Sequence, residues 1–326
     1  MTDIQNLQKR LRENPCIWLV TGVAGFIGSH LAESLLDLGQ VVRGLDDLSS
    51  GHLKNIGSFA AHKNFTFIKG DICDEVLCRE ACAGIHYVLH HAAIGSVVKS
   101  LENPALVDRV NNGGFLNILV AAREAGVRRV VYASSSAVYG EGSLAARHEG
   151  ERPQPLSPYA VTKCANELYA TVTAQTCKLE TAGLRYFNIY GARQDPEGAY
   201  AAVIPKWIGA MTRGEPIEIY GDGETIRDFC FIGDVAQANI RAALSVQNTE
   251  NPVYNIAGGV AVTLNDLFAQ LKTLTGYDAD PVYKDFRAAD IRVSRADISK
   301  ARQELGFAPA VALEAGLRRT VEWYRV

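Results

Sequence analysis

A glycine-rich turn between a predicted strand and a predicted helix constrains the fold more than any other feature of this sequence. The run CIWLVTG before the turn is short and nearly all apolar, as in a parallel strand covered on both faces. Gly22, Gly25 and Gly28 follow with the spacing GxxGxxG, and the stretch FIGSHLAESLLDLG continues as a helix. This order sets the free N–H groups of a helix N-terminus beside glycines that let a ligand approach closely. The turn therefore predicts a site for a diphosphate.

Strand-like and helix-like segments alternate over the next part of the chain. Five further runs are predicted to be strands: VVRGLDD, FTFIKGD, HYVLHHAA, RRVVYASSS and TAGLRYFN. Such alternation is typical of right-handed βαβ units. The sequence therefore predicts the α/β class, with a Rossmann-like doubly wound parallel sheet and a smaller C-terminal α/β lobe.

Three segments are predicted along the chain. Residues 1–15 form an amphipathic helical extension that Pro15 ends, and residues 16–188 form a dinucleotide-binding domain. Beyond Asn188, glycines and prolines punctuate short segments, so residues 189–326 are predicted to be a second, ligand-binding lobe. This lobe is expected to be partly interleaved with the first domain, because its strand-like run VYNIAG is able to return to the main sheet.

The composition is that of a globular chain without a strong charge. Its 33 lysines and arginines and 36 aspartates and glutamates give a formal charge of −3, so nothing favours binding to nucleic acid or to an anionic membrane. No apolar run approaches the ~18 residues of a membrane-spanning helix, and the charged N-terminus lacks the apolar core of a secretory signal. Seven cysteines without a CxxC pair indicate free thiols in a reducing compartment. We therefore expect a cytoplasmic protein, and we expect no metal site because no ligand set has suitable spacing.

An acidic residue at the end of the second predicted strand indicates which dinucleotide the glycine turn holds. Asp46 lies 18 residues after Gly28, where a carboxylate is able to accept a hydrogen bond from a ribose 2′-hydroxyl. A carboxylate there repels the 2′-phosphate of NADP, so the sequence predicts NAD. Asp71 and Ile72 end the next strand and are candidate adenine contacts, with simple packing as an equal alternative.

A tyrosine and a lysine four residues apart form the candidate catalytic pair. On a helix, Tyr159 and Lys163 lie on one face, so the ammonium is close to the phenol. The ammonium and a positively charged nicotinamide both favour the phenolate, which lets a phenol with an ordinary pKa near ~10 act as a base at neutral pH. Ser135 or Ser136, at the end of the preceding strand, is able to hydrogen bond the substrate hydroxyl. Together these residues predict the oxidation of a hydroxyl group.

The sequence resembles the extended short-chain dehydrogenase/reductases and, among them, the nucleotide-sugar 4-epimerases. The resemblance covers nearly the whole chain after Pro15 and rests on TGVAGFIGSHL, GLDDLSSG, GDICD, HHAAIGSVVKS, ASSSAVYG, SPYAVTK, LRYFNIYG, GDGETIRDF and RAADIRVSRAD. The run RQDPEGAYAAVIPKW is most similar to bacterial epimerases that act on UDP-N-acetylhexosamines for surface polysaccharides such as O-antigen. The resemblance implies an NAD-dependent UDP-N-acetylglucosamine 4-epimerase, which interconverts UDP-GlcNAc and UDP-GalNAc through a transient 4-keto sugar. UDP-Glc and UDP-Gal would be weaker substrates.

The resemblance also implies a role for each matched position. Ser135, with Ser136 beside it, matches the catalytic serine, Tyr159 the base, and Lys163 the lysine that also holds the nicotinamide ribose. The matched NAD contacts are Gly22, Gly25, Phe26, Ile27, Gly28, Asp46, Asp71, Ile72, Ala93 and Asn111. The positions expected to hold the UDP-sugar, in the lobe 189–326 and beside it, are Gly95, Ser96, Asn188, Ala202, Val203, Trp207, Tyr220, Arg227, Arg287, Asp290 and Ser294.

Ser294 matches a position that gates the pocket around the C2 substituent of the sugar. In the family a tyrosine there narrows the site to plain hexoses, whereas a small residue leaves room for an N-acetyl group. Two departures from the family pattern are present. Arg287-Ala288-Ala289-Asp290 replaces the usual Arg-x-Gly-Asp, and the histidine pair His90-His91, to which no role is assigned, replaces His-Leu or His-Gln.

Related activities differ in the residues that follow the catalytic serine. The 4,6-dehydratases carry Asp-Glu there and the decarboxylases carry Glu at the second position, whereas this chain has Ser136 and Ala137. A UDP-uronate or UDP-N-acetylhexosaminuronate 4-epimerase stays open, since Lys99 or another cation would meet a C6 carboxylate. A non-catalytic NAD-sensing protein is a remoter alternative. The predicted helices in 103–125 and 157–177 resemble the pair that forms a homodimer interface in the family, although both would equally cover the sheet.

Overall fold

The computed structural model describes residues 3–141, 145–197, 202–245, 252–286 and 291–325, which form alternating strands and helices. The strands are β1 (Ile17–Thr21), β2 (Val41–Asp46), β3 (Phe65–Lys69), β4 (Tyr87–His90), β5 (Arg129–Ser135), β6 (Glu180–Tyr186), β7 (Ile189–Tyr190), β8 (Glu218–Tyr220), β9 (Ile226–Asp228), β10 (Cys230–Phe231), β11 (Val253–Ile256), β12 (Ala261–Thr263), β13 (Val282–Lys284) and β14 (Val293–Ser294). The helices are α1 (Asp3–Glu13), α2 (Phe26–Asp37), α3 (Glu75–Cys82), α4 (Val97–Glu102), α5 (Pro104–Asp108), α6 (Phe115–Glu124), α7 (Pro158–Cys177), α8 (Val203–Thr212), α9 (Ile232–Leu244), α10 (Leu264–Thr275), α11 (Ser299–Leu305) and α12 (Leu313–Tyr324). A π-helical turn, Arg109–Gly114, joins α5 to α6.

A parallel sheet is the centre of the part of the chain that the structure describes. Its seven strands lie in the order β11-β6-β5-β4-β1-β2-β3, and each neighbouring pair is parallel. The chain order reverses between β1 and β4, and an open α/β sheet binds its ligand beyond the carboxyl ends of the strands at such a reversal. The predicted doubly wound parallel sheet is confirmed.

Two apolar layers hold the helices on the sheet. Consecutive strand residues point to opposite faces, so Leu19 and Val88 pack in the layer with α3 and α6, whereas Val20 and Leu89 pack with α2 and α9. All four side chains are fully buried, and burial of each stabilises the fold by roughly 1.5–3 kcal/mol. The strands that carry the loops of the site are therefore rigidly held.

The strand-like run VYNIAG returns to the main sheet. Within it, β11 pairs with β6, with Val253 opposite Gly183 and Ile256 opposite Tyr186. A strand from beyond residue 188 thus completes the sheet built by the first part of the chain.

The second lobe has its own core under three small sheets. β9 pairs with β12 and β14, β8 pairs with β13, and β7 pairs with β10. The core between α8, α10 and α12 contains Trp207, Phe268, Leu271 and Leu317. The side chain of Trp207 is therefore used in packing.

The N-terminal helix α1 packs against the main domain. Leu11 is buried in the layer that contains α2, and its carbonyl oxygen accepts a hydrogen bond of 2.9 Å from Gln40 Nε2. Through the described ranges of the chain, none of the helices has the length and apolar character needed to span a bilayer.

Candidate active site

A cavity of about 590 Å³, the main cavity, opens beyond the carboxyl ends of the central strands. Its walls come from the glycine turn after β1, the ends of β2 and β5, the loops after β3 and β4, and the first turns of α7. The site thus lies at the reversal of strand order, where the topology predicts it.

The glycine turn leaves no room for side chains at two of its positions. Gly22 has a φ of +68°, and a Cβ on it would lie 2.7 Å from the backbone nitrogen of Ala92. A Cβ on Gly28 would lie 2.0 Å from the carbonyl oxygen of Gly22. Because α2 begins after Gly25 without a side-chain cap, its first N–H groups and positive dipole end are available to an anion. With Phe26 and Ile27 also lining the cavity, the turn fits the diphosphate of a dinucleotide.

Asp46 is buried at the end of β2 and lines the main cavity. Its carboxylate accepts hydrogen bonds from the backbone nitrogens of Ala24, at 2.9 Å, and Leu48, at 2.8 Å. Burial raises the pKa of Asp46, and these hydrogen bonds act in the opposite direction. The carboxylate therefore ties the glycine turn to the next loop while it faces the ligand site.

The other predicted cofactor contacts divide into two groups. Asp71, Ile72 and Ala93 line the main cavity. Asn111 is buried beneath it and does not line it. Asn111 Oδ1 accepts a hydrogen bond of 2.8 Å from the nitrogen of Ile94, so the residue holds the loop that follows β4.

Ser135, Tyr159 and Lys163 meet at the wall of the main cavity. α7 begins beside them because Ser157 caps it, accepting a hydrogen bond of 3.2 Å from the nitrogen of Ala160. The Tyr159 and Ser135 side chains are neighbours, and Ser135 Oγ accepts a hydrogen bond of 3.2 Å from the nitrogen of Ala137. Lys163 Nζ donates a 2.9 Å hydrogen bond to the carbonyl oxygen of Ala133 and lies 5.8 Å from the centre of the Tyr159 ring. The predicted catalytic group is thus brought together.

Burial dominates the ionisation of this group. It raises the pKa of Tyr159, and the hydrogen bond to Ser135 acts in the opposite direction. Burial lowers the pKa of Lys163 to about 8, although Glu167 opposes the shift. Burial outweighs the hydrogen bond to Ser135, so the pKa of the phenol is raised. The protein itself therefore holds Tyr159 in its protonated form at neutral pH. The predicted joint effect of Lys163 and a positive nicotinamide on the phenol stays a prediction.

A smaller cavity of about 270 Å³, the second cavity, begins at Ser136, the residue after Ser135. Asn188, Arg227 and Ser294 line it. Asn188 has a φ of +40°, and its Nδ2 donates to the carbonyl oxygen of Asp228 at 2.9 Å and to Ser294 Oγ at 3.4 Å. Residues from four distant parts of the sequence thereby form one pocket that begins one residue after Ser135.

Several predicted substrate positions lie away from the second cavity. Gly95 lines the main cavity. Ser96 caps α4, accepting a hydrogen bond of 3.1 Å from the nitrogen of Lys99. Trp207 packs in the second lobe against Phe268.

Five further predicted positions belong to the second lobe. Ala202 and Val203 begin α8 and line neither cavity. Tyr220 also lines neither cavity, and its hydroxyl donates to Glu218 Oε2 at 2.9 Å. Arg287 and Asp290 fall outside the described residues.

Some residues that line the main cavity had no role in the sequence analysis. They include His91, Ser134, Tyr186 and Arg193. His91 Nε2 and the Tyr186 hydroxyl are 2.8 Å apart, and Ser134 Oγ donates to Glu167 Oε1 at 2.5 Å. The position of Ser134 next to Ser135 in the sequence was an indication that Ser134 also belongs to the site. For Arg193 the sequence offers none, since its partner lies on α2. Among the described residues, no group of three or more His, Cys, Asp and Glu side chains is placed to hold a metal ion.

The known proteins to which this chain is similar include several sugar-nucleotide epimerases. The model of the "NAD dependent epimerase/dehydratase family" matches residues 18–257. A UDP-glucose 4-epimerase of Mycolicibacterium smegmatis is 38% identical over 309 residues, which are 94% of this chain and 98% of that protein. A UDP-glucuronate 4-epimerase of Thermodesulfobacterium geofontis is 36% identical over 314 residues, 94% of this chain and 95% of that protein.

A solved structure is similar over nearly the whole fold. It is the UDP-N-acetylglucosamine 4-epimerase from Methanobrevibacter ruminantium M1 in complex with UDP-N-acetylmuramic acid, with a TM-score of 0.91 and 39% identity. The match covers 95% of this chain and 98% of that one. Because the family model spans most of the chain and the relatives align over almost all of it, the chain belongs to the NAD dependent epimerase/dehydratase family.

Proposed function

We propose that this protein is an NAD-dependent UDP-sugar 4-epimerase that interconverts UDP-GlcNAc and UDP-GalNAc and acts more weakly on UDP-Glc and UDP-Gal. One observation carries the proposal: Ser135 lines the main cavity with Tyr159 and Lys163, and the adjacent Ser136 lines the second cavity. Two consecutive serines therefore line a dinucleotide site, which also contains the candidate base, and a pocket that contains Arg227. Relatives with three different UDP-sugars in their names support the substrate class.

The main cavity has the chemistry that NAD needs. The glycine turn and the N-terminus of α2 would hold the diphosphate, and Asp46 the adenosine ribose. Lys163 would hold the nicotinamide ribose. When bound, NAD⁺ supplies a reversible two-electron acceptor for C4 of the sugar.

Residues of the protein bind the sugar O4 and transfer its proton. Ser135 donates or accepts a hydrogen bond at O4 and orients it toward Tyr159. Tyr159 takes the O4 proton as C4 is oxidised. It returns the proton after the 4-keto sugar has rotated in the site to present its opposite face. The positive charge of Lys163 stabilises the phenolate, which burial destabilises because the anion loses its hydration. The protons balance over one cycle, and no net oxidation of the sugar occurs.

The described site lacks the carboxylates that elimination and decarboxylation require. Both of those related reactions use a carboxylate after the catalytic hydroxyl residue, where this chain has Ser136 and Ala137. Among the described residues that line the second cavity there is no Asp or Glu. A sugar held there would lack the acid–base group for loss of water from C5 and C6.

The side chain at position 294 supports the preference for acetylated sugars. Ser294 is small and lines the second cavity, and its Oγ accepts a hydrogen bond from Asn188 rather than filling the pocket. Space alone permits an N-acetyl group, and a polar pair at the wall gives its amide hydrogen-bonding partners. Together, space and partners favour the larger C2 substituent.

Steady-state kinetics on UDP-GlcNAc and UDP-Glc, with the products identified by NMR, test the proposal. Wild-type protein should have the larger kcat/KM on UDP-GlcNAc. Ser294→Tyr should lower turnover of UDP-GlcNAc at least tenfold through steric overlap and spare UDP-Glc. Ser299→Tyr, at an exposed serine outside both cavities, is the matched control. Equal losses on both sugars, or a wild-type preference for UDP-Glc, would contradict the assigned specificity. Absence of turnover on every UDP-sugar would favour the non-catalytic alternative.

The uronate alternative depends on a cation in the sugar pocket. Lys99 lines neither cavity. Arg147 and Arg227 line the second cavity. Arg227 is predicted to hold the UDP, and Arg147 Nη1 is 2.5 Å from Glu151 Oε2, so the charge of Arg147 is largely compensated. A sugar carboxylate would gain little from this pair. UDP-glucuronate as a third substrate in the same assay should therefore turn over more slowly than UDP-GlcNAc.

A further inference from the structure

Arg193 lies on the loop after β7 and is one of the residues that line the main cavity. Its Nη2 donates to both carboxylate oxygens of Glu33 on α2, at 2.8 and 2.7 Å. Its Nη1 is buried and has no hydrogen-bond partner among the residues that the structure describes. A buried guanidinium donor without an acceptor is costly. A ligand oxygen placed beside this guanidinium would satisfy the donor.

The backbone around Arg193 is held in an uncommon conformation. Arg193 has a φ of +65°, in the left-handed region that residues with a Cβ rarely adopt. The preceding residue is fixed, because His30 Nε2 and the carbonyl oxygen of Ala192 are 2.9 Å apart. Gly191 packs so tightly that a Cβ on it would lie 2.4 Å from Ile232 Cγ2. The surroundings thus hold the guanidinium at one place despite the backbone strain.

The charged side chains around the main cavity distinguish Arg193 from the other cations there. The cationic side chains that line it are Arg109, Lys163 and Arg193, and four aspartates line it as well. Lys163 donates a hydrogen bond to the carbonyl oxygen of Ala133 beside the candidate base, and Arg109 is exposed on the π-helical turn. Arg193 differs from both, because it is fastened to α2, the helix whose N-terminus the glycine turn opens.

We propose that Arg193 is a ligand of the NAD diphosphate, with its planar guanidinium fixed in advance by the bidentate pair with Glu33. A diphosphate offers the acceptors that Nη1 lacks, and the guanidinium fork matches phosphate oxygens. Pre-orientation by Glu33 reduces the entropy lost on binding. The contact would add a cationic ligand from the loop that leads into the second lobe to the N–H groups of the glycine turn. It does not depend on which sugar is the substrate.

Displacement of the bound cofactor from the purified full-length holoprotein tests this inference without using turnover. Bound NAD is challenged with increasing ADP, which carries a diphosphate, or adenosine, which carries none, and the released NAD is assayed. In wild type, ADP should displace NAD at lower concentration than adenosine. Arg193→Met should shrink that advantage of ADP by about tenfold or more, because a charge-assisted hydrogen bond is lost. Arg193→Lys should retain part of the advantage, since the charge remains and the fork does not.

Two controls separate a phosphate contact from a structural role. Arg213→Met removes an exposed arginine that is paired with Glu215 and lies outside the main cavity, and it should leave both displacement curves unchanged. In wild type, ADP should also protect Arg193 from phenylglyoxal, as mapped by mass spectrometry, and adenosine should not. An unchanged ratio in Arg193→Met, equal weakening for ADP and adenosine, or equal protection by both compounds would overturn the inference.

Discussion

At the scale of single residues, the site is organised around a phenol that its own surroundings keep protonated. Burial disfavours the charged form of both Tyr159 and Lys163. It raises the pKa of Tyr159 and lowers the pKa of Lys163 to about 8. The phenol is therefore not a ready base by itself at neutral pH. The positive nicotinamide that the family's cofactor carries is the remaining charge able to favour the phenolate, so proton transfer is coupled to the presence of oxidised cofactor.

Removal of the Tyr159 hydroxyl should abolish most of the activity and leave the fold intact. Tyr159→Phe keeps the ring, so NAD content and melting temperature should stay near those of wild type. Turnover should fall by about 10²–10⁴-fold, the usual contribution of a general acid–base group. Tyr169→Phe, at an exposed tyrosine on the same helix, is the control. Near wild-type turnover in Tyr159→Phe with an intact fold would mean that the base lies elsewhere.

The lowered pKa of Lys163 predicts an alkaline limit to activity. Lys163 stabilises the phenolate only while it carries a proton, and its pKa of about 8 means that the charge is lost as the pH rises through that value. Turnover should therefore decline above about pH 8 in a pH–rate profile. Lys163→Arg should be slower but should lack this decline, because a guanidinium stays protonated. The same alkaline limb in both proteins would exclude Lys163 as its source.

At the scale of elements, the joint between β1 and α2 determines whether cofactor is held. α2 begins without a side-chain cap, so its orphan N–H groups are left for a ligand. That geometry requires Gly28 to lie against the carbonyl oxygen of Gly22. NAD held in this way is expected to stay with the protein through purification. Nicotinamide assay of the supernatant after denaturation should recover NAD, whereas recovery of NADP would contradict the role of Asp46.

Gly28→Ala should therefore reduce cofactor retention. Its Cβ would lie 2.0 Å from the Gly22 oxygen, so α2 must move away from the turn. Overpacking of this kind costs about 1–3 kcal/mol of stability, and the displaced helix end loses its contact with the diphosphate. Gly113→Ala is the matched control, because a Cβ there would have no atom within 4 Å apart from its chain neighbours and the backbone of its own helix. Calorimetry and the NAD content of the purified protein measure the two effects, and full NAD content in Gly28→Ala would contradict the prediction.

At the scale of the whole molecule, an apolar stripe on α7 remains uncovered in the single chain. Val161, Leu168 and Val172 are 51%, 70% and 56% exposed, and their spacing places them on one side of the helix. Leu101 on α4 and Leu106 on α5 are exposed as well, and both helices contact α7. Exposed apolar surface of this extent is typical of an interface between proteins. We expect a second copy of this chain to cover it.

Light scattering after gel filtration should show a homodimer at micromolar concentration. Leu168→Glu should shift the protein to monomer, because a carboxylate in an apolar interface would be buried without a partner. Val76→Glu makes the same change at a residue that is 63% exposed on α3, and it should stay dimeric. A monomeric wild-type protein would refute the assignment of this surface.

Local sequence patterns by themselves determined the central sheet, the glycine turn and the Tyr159–Lys163 pair. Each depends on residues close in sequence: an apolar run, a turn with fixed glycine spacing, or two side chains one helical turn apart. The tertiary structure alone decided that Trp207 packs in a core and that Asn111 supports a loop. It also joined Arg193 to Glu33, 160 residues away, and formed the second cavity from Ser136, Asn188, Arg227 and Ser294. Contacts of this kind arise when whole elements pack against each other, and no short-range pattern along the chain specifies which distant side chains will meet.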